Sequence, residues 1–372
     1  MRSPAALTRA VALANAGVVI AALSVLWLLP SAHWTGGRPA ARTTPEKRIG
    51  PGDEPRASVA PLPSVKPPAP VTATVESARE VRANELGLVP VIMYHRILVK
   101  RLASIDRTPA QLRKELEKLA KEGYVPVTAA EYVSRKIAIP AGAHPVVLTF
   151  DDGWSNQFAL DTHGRPKKGT ATAILFDVAR TYPGFRPVAT FWVNREPFGL
   201  HDRAAQRRAV RWLVGRGFEV ANHTYDHPDL RRLKKKKVKE QIVREERLLR
   251  AIGAGRSKTF ALPYGSEPRH LKVTRGGSWD GTKYDFAGVF LAGAYPARSP
   301  YSKDFDPGQI PRIQSNGKKG ECRKWCSTYW LDWLDKHPRE RYTADGDPDR
   351  ISIPKGLRGN ISPKRGEKVV AY

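Results

Sequence analysis

Four residues in two places along the chain have types and spacing that could do chemistry together: the adjacent Asp151 and Asp152, and His223 and His227, four apart. One carboxylate and two imidazoles make three protein ligands. That is the set of a catalytic rather than a structural zinc site, because a fourth position stays open. Cobalt and other first-row divalent ions suit the same donors. The second carboxylate then stays free to take a proton from an attacking water. Each part also has a plainer reading by itself. Asp-Asp-Gly is an ordinary turn signal, and a lone histidine is more often a satisfied structural residue. The metal reading gains from the two pairs falling at the same edge of one fold.

Elements able to bring them there can be read around them. Val146-Val147-Leu148 is a short, bounded, β-branched run, which reads as a buried strand ending at Asp151 and Asp152, with Gly153 permitting a sharp turn. Phe218 to Ala221 reads as a second strand, followed by Asn222-His223-Thr224-Tyr225-Asp226-His227-Pro228. Pro228 suits the first position of a long helix reaching about Ile252. Because proline disfavours α geometry at the residue before it, both histidines are expected on a loop entering that helix. Thr259 to Leu262 reads as a third strand closed by Pro263-Tyr264-Gly265, which taken alone is a plain turn.

The same alternation extends on either side. Val89 to His95 reads as a strand ending in a Tyr-His pair. Thr108-Pro109-Ala110-Gln111 is a capping box that opens a helix stopped at Gly123, Tyr124 to Val127 is a short strand, and Thr128 to Glu131 caps another helix. Leu160 to Pro166 reads as a surface hairpin, Ala171 to Thr181 as a helix, Val188 to Val193 as a strand and Asp202 to Gly215 as a helix. Strands alternating with helices of this length imply parallel βα units, hence a doubly wound sheet or a barrel. Both architectures build their sites at strand C-termini.

Composition sets the surroundings. The 372 residues allow one large domain or two small ones. The net charge of +27 implies attraction to polyanions without choosing among nucleic acid, anionic lipid and acidic wall polymers. The basic run from Arg231 to Lys239 lacks the interleaved aromatics of a single-strand binder, so it reads as a solvated helix face, and no nucleic-acid partner is expected. Arg2 and Arg9 precede the apolar stretch Val11 to Leu29, which suits a signal anchor or a long signal peptide. No small-x-small cleavage site follows, which favours a retained anchor. Residues 34–80 read as a Pro-rich disordered spacer. The expected organisation is therefore a leader over 1–33, the spacer, a catalytic domain over 88–320, and an extension over 321–372 packed on it. The domain is expected outside the cytoplasm, membrane-anchored, or secreted if the leader is cleaved. Cys322 and Cys326 could close a small disulfide or remain thiols.

Between Val89 and about Ile313 the chain resembles the polysaccharide deacetylases, the NodB homology domain of carbohydrate esterase family 4. The resemblance rests on Val89-Pro90-Val91-Ile92-Met93-Tyr94-His95, Thr149-Phe150-Asp151-Asp152-Gly153, His223-Thr224-Tyr225-Asp226-His227 and Leu262-Pro263-Tyr264-Gly265, in that order. It implies a distorted (β/α) barrel of about seven strands and one divalent ion, zinc first, held by Asp152, His223 and His227. It makes Asp151 the base and places the Tyr264 backbone N–H, between Pro263 and Gly265, at the oxyanion. Two departures stand out. The family often has an arginine shortly before its Pro-Tyr-Gly that restrains the catalytic aspartate, where this chain has Ala261. No late leucine-x-histidine segment supplies an acid either; His337 and His270 lie in poor context. The implied activity is amide hydrolysis, removing acetyl groups from N-acetylglucosamine units of peptidoglycan or a related extracytoplasmic glycan. The alternatives are an ester hydrolase on acetylated xylan and a non-catalytic, basic wall-binding protein.

Overall fold

The computed structural model describes residues 71–362, 364 and 367–372. The expected leader, and the expected spacer up to residue 70, lie outside the described residues. The last part of that spacer differs from expectation: Val75–Glu80 is a helix, capped reciprocally by Thr74 and Ser77, with Ala78 buried. Among the described residues no helix is long and apolar enough to cross a membrane.

Seven parallel strands form one continuous path and curl into a half-barrel. In chain order they are β1 (Val91–Tyr94), β3 (His144–Asp152), β4 (Thr190–Val193), β5 (Glu219–Asn222), β6 (Thr259–Ala261), β9 (Gly288–Phe290) and β10 (Ile313–Gln314). Their order in space is β10-β1-β3-β4-β5-β6-β9. An eighth strand, β2 (Tyr124–Val127), pairs with His144–Val147, and β4 pairs with Thr149–Asp152. The two thus take successive halves of one side of β3, with β1 on the other side. Bridges from Phe290 to Ile310 and from Ala294 to Ile313 link the two end strands. Outside the sheet, β7 (Gly276–Trp279) and β8 (Thr282–Asp285) form an antiparallel hairpin. Its two-residue turn is Asp280-Gly281, both at positive φ, as the right-handed twist of a hairpin requires.

The pleat of β3 divides the core. Val146, Leu148 and Phe150 pack outward with the helices, whereas Val147 joins Trp192, Ala221, Ala261 and Phe290 inside the barrel. Alternation puts Thr149 and Asp151 on that inner side too.

The capping boxes expected at Thr108 and Thr128 are formed, and the turn at Leu160 to Pro166 closes through a bridge between those residues. The long helix starts later than expected, at Lys235 rather than Pro228. His227 takes a left-handed conformation (φ 53°), and a short 3-10 turn over Leu230–Arg232 intervenes, so the chain changes direction before the helix can begin.

The C-terminal extension mostly closes the end of the barrel remote from the strand C-termini. Leu88 pairs with Arg341 and Asn84 with Thr343, and the Tyr342 hydroxyl donates to the buried Glu85 (3.0 Å). β11 (Arg350–Ile353) and β12 (Lys368–Ala371) run parallel beside them. Cys322 and Cys326 are joined as a disulfide. The helix Ser327–Lys336 that follows buries Leu331 and Leu334, and the Trp330 indole N–H donates to the Ala294 carbonyl (2.6 Å).

His144, at the start of β3, is buried there, with its Nδ1 2.8 Å from the Tyr342 carbonyl oxygen. Burial, reinforced by the positive charge of Arg341, lowers its pKa from the ordinary 6.5 to about 4. The folded state therefore favours neutral imidazole, and this stabilisation is complete above the unfolded pKa and is lost as pH falls toward the folded one. Linkage gives a loss of about 2 kcal/mol between pH 7 and pH 5. Urea unfolding of the wild type and of His144→Gln at both values checks this; equal losses in the two proteins would reject it.

Candidate active site

The C-terminal ends of β1, β3, β4, β5 and β6 open into a cleft of about 540 Å³. Asp151, Asp152, His223, His227, Tyr264 and Gly265 all line it; Pro263 is buried directly behind Tyr264. His270 and His337 do not line it: both are exposed, and His337 stacks on Trp333 with ring centroids 4.2 Å apart.

Two neighbours on a strand normally point to opposite faces. Here Asp151 is the last residue with the strand's inward orientation, and Asp152 takes φ 73°. That left-handed turn directs both carboxylates to one imidazole: His223 Nε2 lies 3.8 Å from Asp151 Oδ2 and 3.6 Å from Asp152 Oδ1. Thr224, His227 and Tyr264 are also at positive φ. Non-glycine residues in this region carry local strain, which the surrounding packing must sustain. Asn194 supports one such turn by donating to the carbonyls of His223 and Thr224, both at 2.8 Å. Gly265 must be glycine, since at φ 63° a Cβ would come within 2.8 Å of the Ala292 Cβ and N.

Asp152, His223 and His227 each offer a ligand atom, all within 4.8 Å of one another. His223 is buried, and its Nδ1 lies 2.8 Å from the Ala261 carbonyl oxygen. Donation from Nδ1–H leaves the Nε2 lone pair facing the cluster, as a metal ligand needs. His227 Nε2 lies 3.3 Å from Asp152 Oδ1. Burial pushes the His227 pKa below its ordinary value despite the opposing charge of Asp152, which favours the neutral, ligating form. The other oxygen of Asp152 accepts the Trp154 indole N–H at 2.9 Å. The donor set and its orientation fit a small divalent cation.

Asp151 is held differently. Arg312, only 1% exposed, donates Nη1 to Oδ1 at 2.7 Å and Nη2 to Oδ2 at 2.8 Å. Its Nε donates to the Leu291 carbonyl (2.7 Å) and Nη1 also reaches Thr149 Oγ1 (3.2 Å), so the guanidinium is fixed on both edges. Burial works against ionisation of Asp151, but the charges of Arg312 and then His223 prevail and hold its carboxyl well below the usual range. This corrects the inference drawn from Ala261. The restraining arginine is present, supplied from just before β10 rather than from the segment before Pro-Tyr-Gly. Nothing local marks Arg312, which lies 161 residues from Asp151 in a chain containing 63 lysines and arginines.

Three further residues complete the site. His95, in the Tyr-His pair after β1, lines the cleft with Nε2 4.0 Å from Asp151 Oδ2, while its buried Nδ1 has no hydrogen-bond partner among the described residues. Gln157 donates to the carbonyls of Asp151 (2.6 Å) and His95 (3.0 Å), tying the ends of β3 and β1 together. The exposed Trp154 forms part of the rim. Position at a strand C-terminus was the signal available for His95 and Asn194; Gln157 had none. The Tyr264 N–H donates to no group among the described residues and its ring lies against His227, with centroids 4.5 Å apart.

Known proteins similar to part of this chain are deacetylases. Over 153 residues the chain is 31% identical to a chitooligosaccharide deacetylase of Bradyrhizobium sp. (strain ANU 289), a match covering 41% of this chain and 54% of that protein. It is 24% identical over 142 residues to a peptidoglycan-N-acetylglucosamine deacetylase of Bacillus cereus, covering 38% and 44% respectively. The chain thus spans about half the length of the curated relatives it matches. The solved Streptococcus pyogenes deacetylase PplD, in complex with acetate, aligns with 61% of this chain and 91% of its own at 19% identity, with a TM-score of 0.46. Residues 138–275, which carry the aspartate pair, the histidine pair and the Pro-Tyr-Gly turn, match the model of the polysaccharide deacetylase family.

Proposed function

We propose that the protein is a divalent-metal-dependent hydrolase that removes acetyl groups from the N-acetylglucosamine units of an extracytoplasmic polysaccharide, peptidoglycan or a related glycan. The observation that carries this reading is the division of labour in the aspartate pair. Arg312 grips Asp151 through both oxygens, while Asp152 Oδ1 faces the imidazoles of His223 and His227. Asp152, His223 and His227 would hold the ion, zinc first among first-row candidates. When bound, the ion supplies Lewis acidity that polarises the acetyl carbonyl and acidifies water. Asp151, kept ionised by Arg312, takes the proton from that water as it attacks. The Tyr264 N–H stands free to donate to the developing oxyanion.

An amide leaving group must be protonated as the carbon–nitrogen bond breaks, whereas an alkoxide needs this less. His95 is the cleft's remaining imidazole and stands beside Asp151, so it is the residue placed to pass a proton to the amine. Its presence supports an amide substrate over acetylated xylan. The catalytic unit is proposed to be 88–320, with 321–372 packed on it. The leader of residues 1–33 supports an extracytoplasmic, membrane-anchored location, which protease accessibility on whole cells tests.

The deciding experiment strips the purified protein with a chelator, titrates zinc back by calorimetry, and measures acetate release from N-acetyl chito-oligosaccharide and from acetylated xylan. One ion per chain should bind, and amide hydrolysis should return with it. His95→Asn should then lower amide turnover by about 10²-fold and ester turnover much less. Absence of zinc uptake together with absence of acetate release would favour a wall-binding role instead. Equal loss on both substrates would remove His95 as the amine's proton donor.

A further inference from the structure

A second cavity, of about 750 Å³, lies beside the cleft between the helix Pro109–Lys121, the segment 101–107 and the loop 316–322. Six cationic side chains line it: Arg101, Arg107, Lys114, Lys118, Lys318 and Lys319. Two are neutralised locally, Lys118 by Glu122 and Asp332, and Lys318 by Asp332. Lys114 and Lys319 are exposed and make no ion pair among the described residues. Arg107 is the unusual member. It is 7% exposed, its Nε is buried without a partner, and no carboxylate among the described residues pairs with it.

Two acids line this wall, Glu115 and Glu321, and neither forms an ion pair with Arg107 among the described residues. Glu115 already accepts Tyr94 Oη at 2.8 Å and Ser315 Oγ at 2.6 Å on one oxygen, and Ser327 Oγ on the other. A buried guanidinium without an anion is costly, so a cavity that keeps one and adds two unpaired ammonium groups is arranged for an anionic ligand. Three cations from three separate segments offer more donors than one planar carboxylate uses, and they suit a phosphoryl group. The volume exceeds what a lone phosphate ion needs. The segment between the cavities also points to a chain molecule: Ala103 and Ile105 line the catalytic cleft while Ser104 lines the basic cavity. The Cys322–Cys326 disulfide braces the loop that carries Lys318 and Lys319, and Cys322 itself lines the cavity.

We propose that this cavity is a phosphoryl-binding subsite that holds a phosphodiester-linked polymer next to the catalytic cleft. The inference stands on Arg107 and its neighbours and does not depend on the deacetylase reading. The test is fluorescence anisotropy of the full-length protein with a labelled poly(glycerol phosphate) of about ten units, enough to cross the ridge at Ser104. Lys114→Gln/Lys319→Gln is expected to weaken binding at least about tenfold, and Arg107→Gln comparably. Lys235→Gln/Lys236→Gln removes the same charge from exposed lysines that line neither cavity, and should change affinity less than about twofold. Equal weakening by the two lysine pairs would assign binding to diffuse charge and overturn the proposal. So would oligogalacturonate binding as tightly with the same lysine dependence, which would make the ligand a carboxylate. Displacement by inorganic phosphate at equal phosphorus concentration would overturn the polymer, leaving a site for the free ion.

Discussion

Asp151→Asn is expected to lower kcat on an N-acetylated chito-oligosaccharide by about 10³-fold while leaving zinc affinity within about threefold. The split follows from geometry. Asp151 stands outside the three-donor cluster of Asp152, His223 and His227, yet faces the same His223 imidazole at 3.8 Å. Asparagine keeps the shape and can still accept one Arg312 hydrogen bond, but its amide nitrogen takes no proton from water. The loss should therefore appear in kcat rather than in metal binding. Calorimetry with zinc and steady-state acetate release measure the two separately. Undiminished turnover in a variant that still binds the ion would remove Asp151 as the base.

Arg312→Gln is the second large effect, and it should appear in both stability and rate. Asp151 is 2% exposed and Arg312 1%, so removing one partner leaves a buried charge uncompensated, at a cost of about 3–5 kcal/mol. Denaturant unfolding reads that loss. The rate should fall as well, because the carboxylate loses the fork that sets its plane and must share or protonate its charge instead. Arg312→Lys should rescue neither fully: one ammonium cannot span Oδ1 and Oδ2 while also reaching the Leu291 carbonyl. Adding Arg312→Gln to Asp151→Asn should cause little further loss of kcat, since the arginine acts through the aspartate. A full additional decrement in the double variant would show that Arg312 serves the reaction by another route.

The parts legible in the chain were those whose signals are local. The buried run before Asp151, the turn at Gly153, the His223/His227 pair after a strand and the Pro-Tyr-Gly closure each occupy a few consecutive residues. Capping at Thr108 and Thr128 was readable for the same reason. The helix start was misplaced because proline at a helix entrance is a preference, and the left-handed turn at His227 delayed the helix to Lys235. Sequence spacing leaves the disulfide open because it does not give Cβ geometry.

What the sequence determined by itself was the supply of chemistry: two carboxylates, two imidazoles and a turn, each placed at the end of a strand. Direction and counter-charge were decided only in three dimensions. The pleat sends Asp151 inward, and the left-handed turn at Asp152 brings its carboxylate back to the same mouth. The arginine absent from the segment before Pro-Tyr-Gly arrives from beside β10, which parallel pairing sets next to β1 and therefore one strand from β3. No local pattern encodes that neighbour, because it depends on how the two ends of the sheet curl together, whereas the need for it is already written in a buried aspartate that must stay charged.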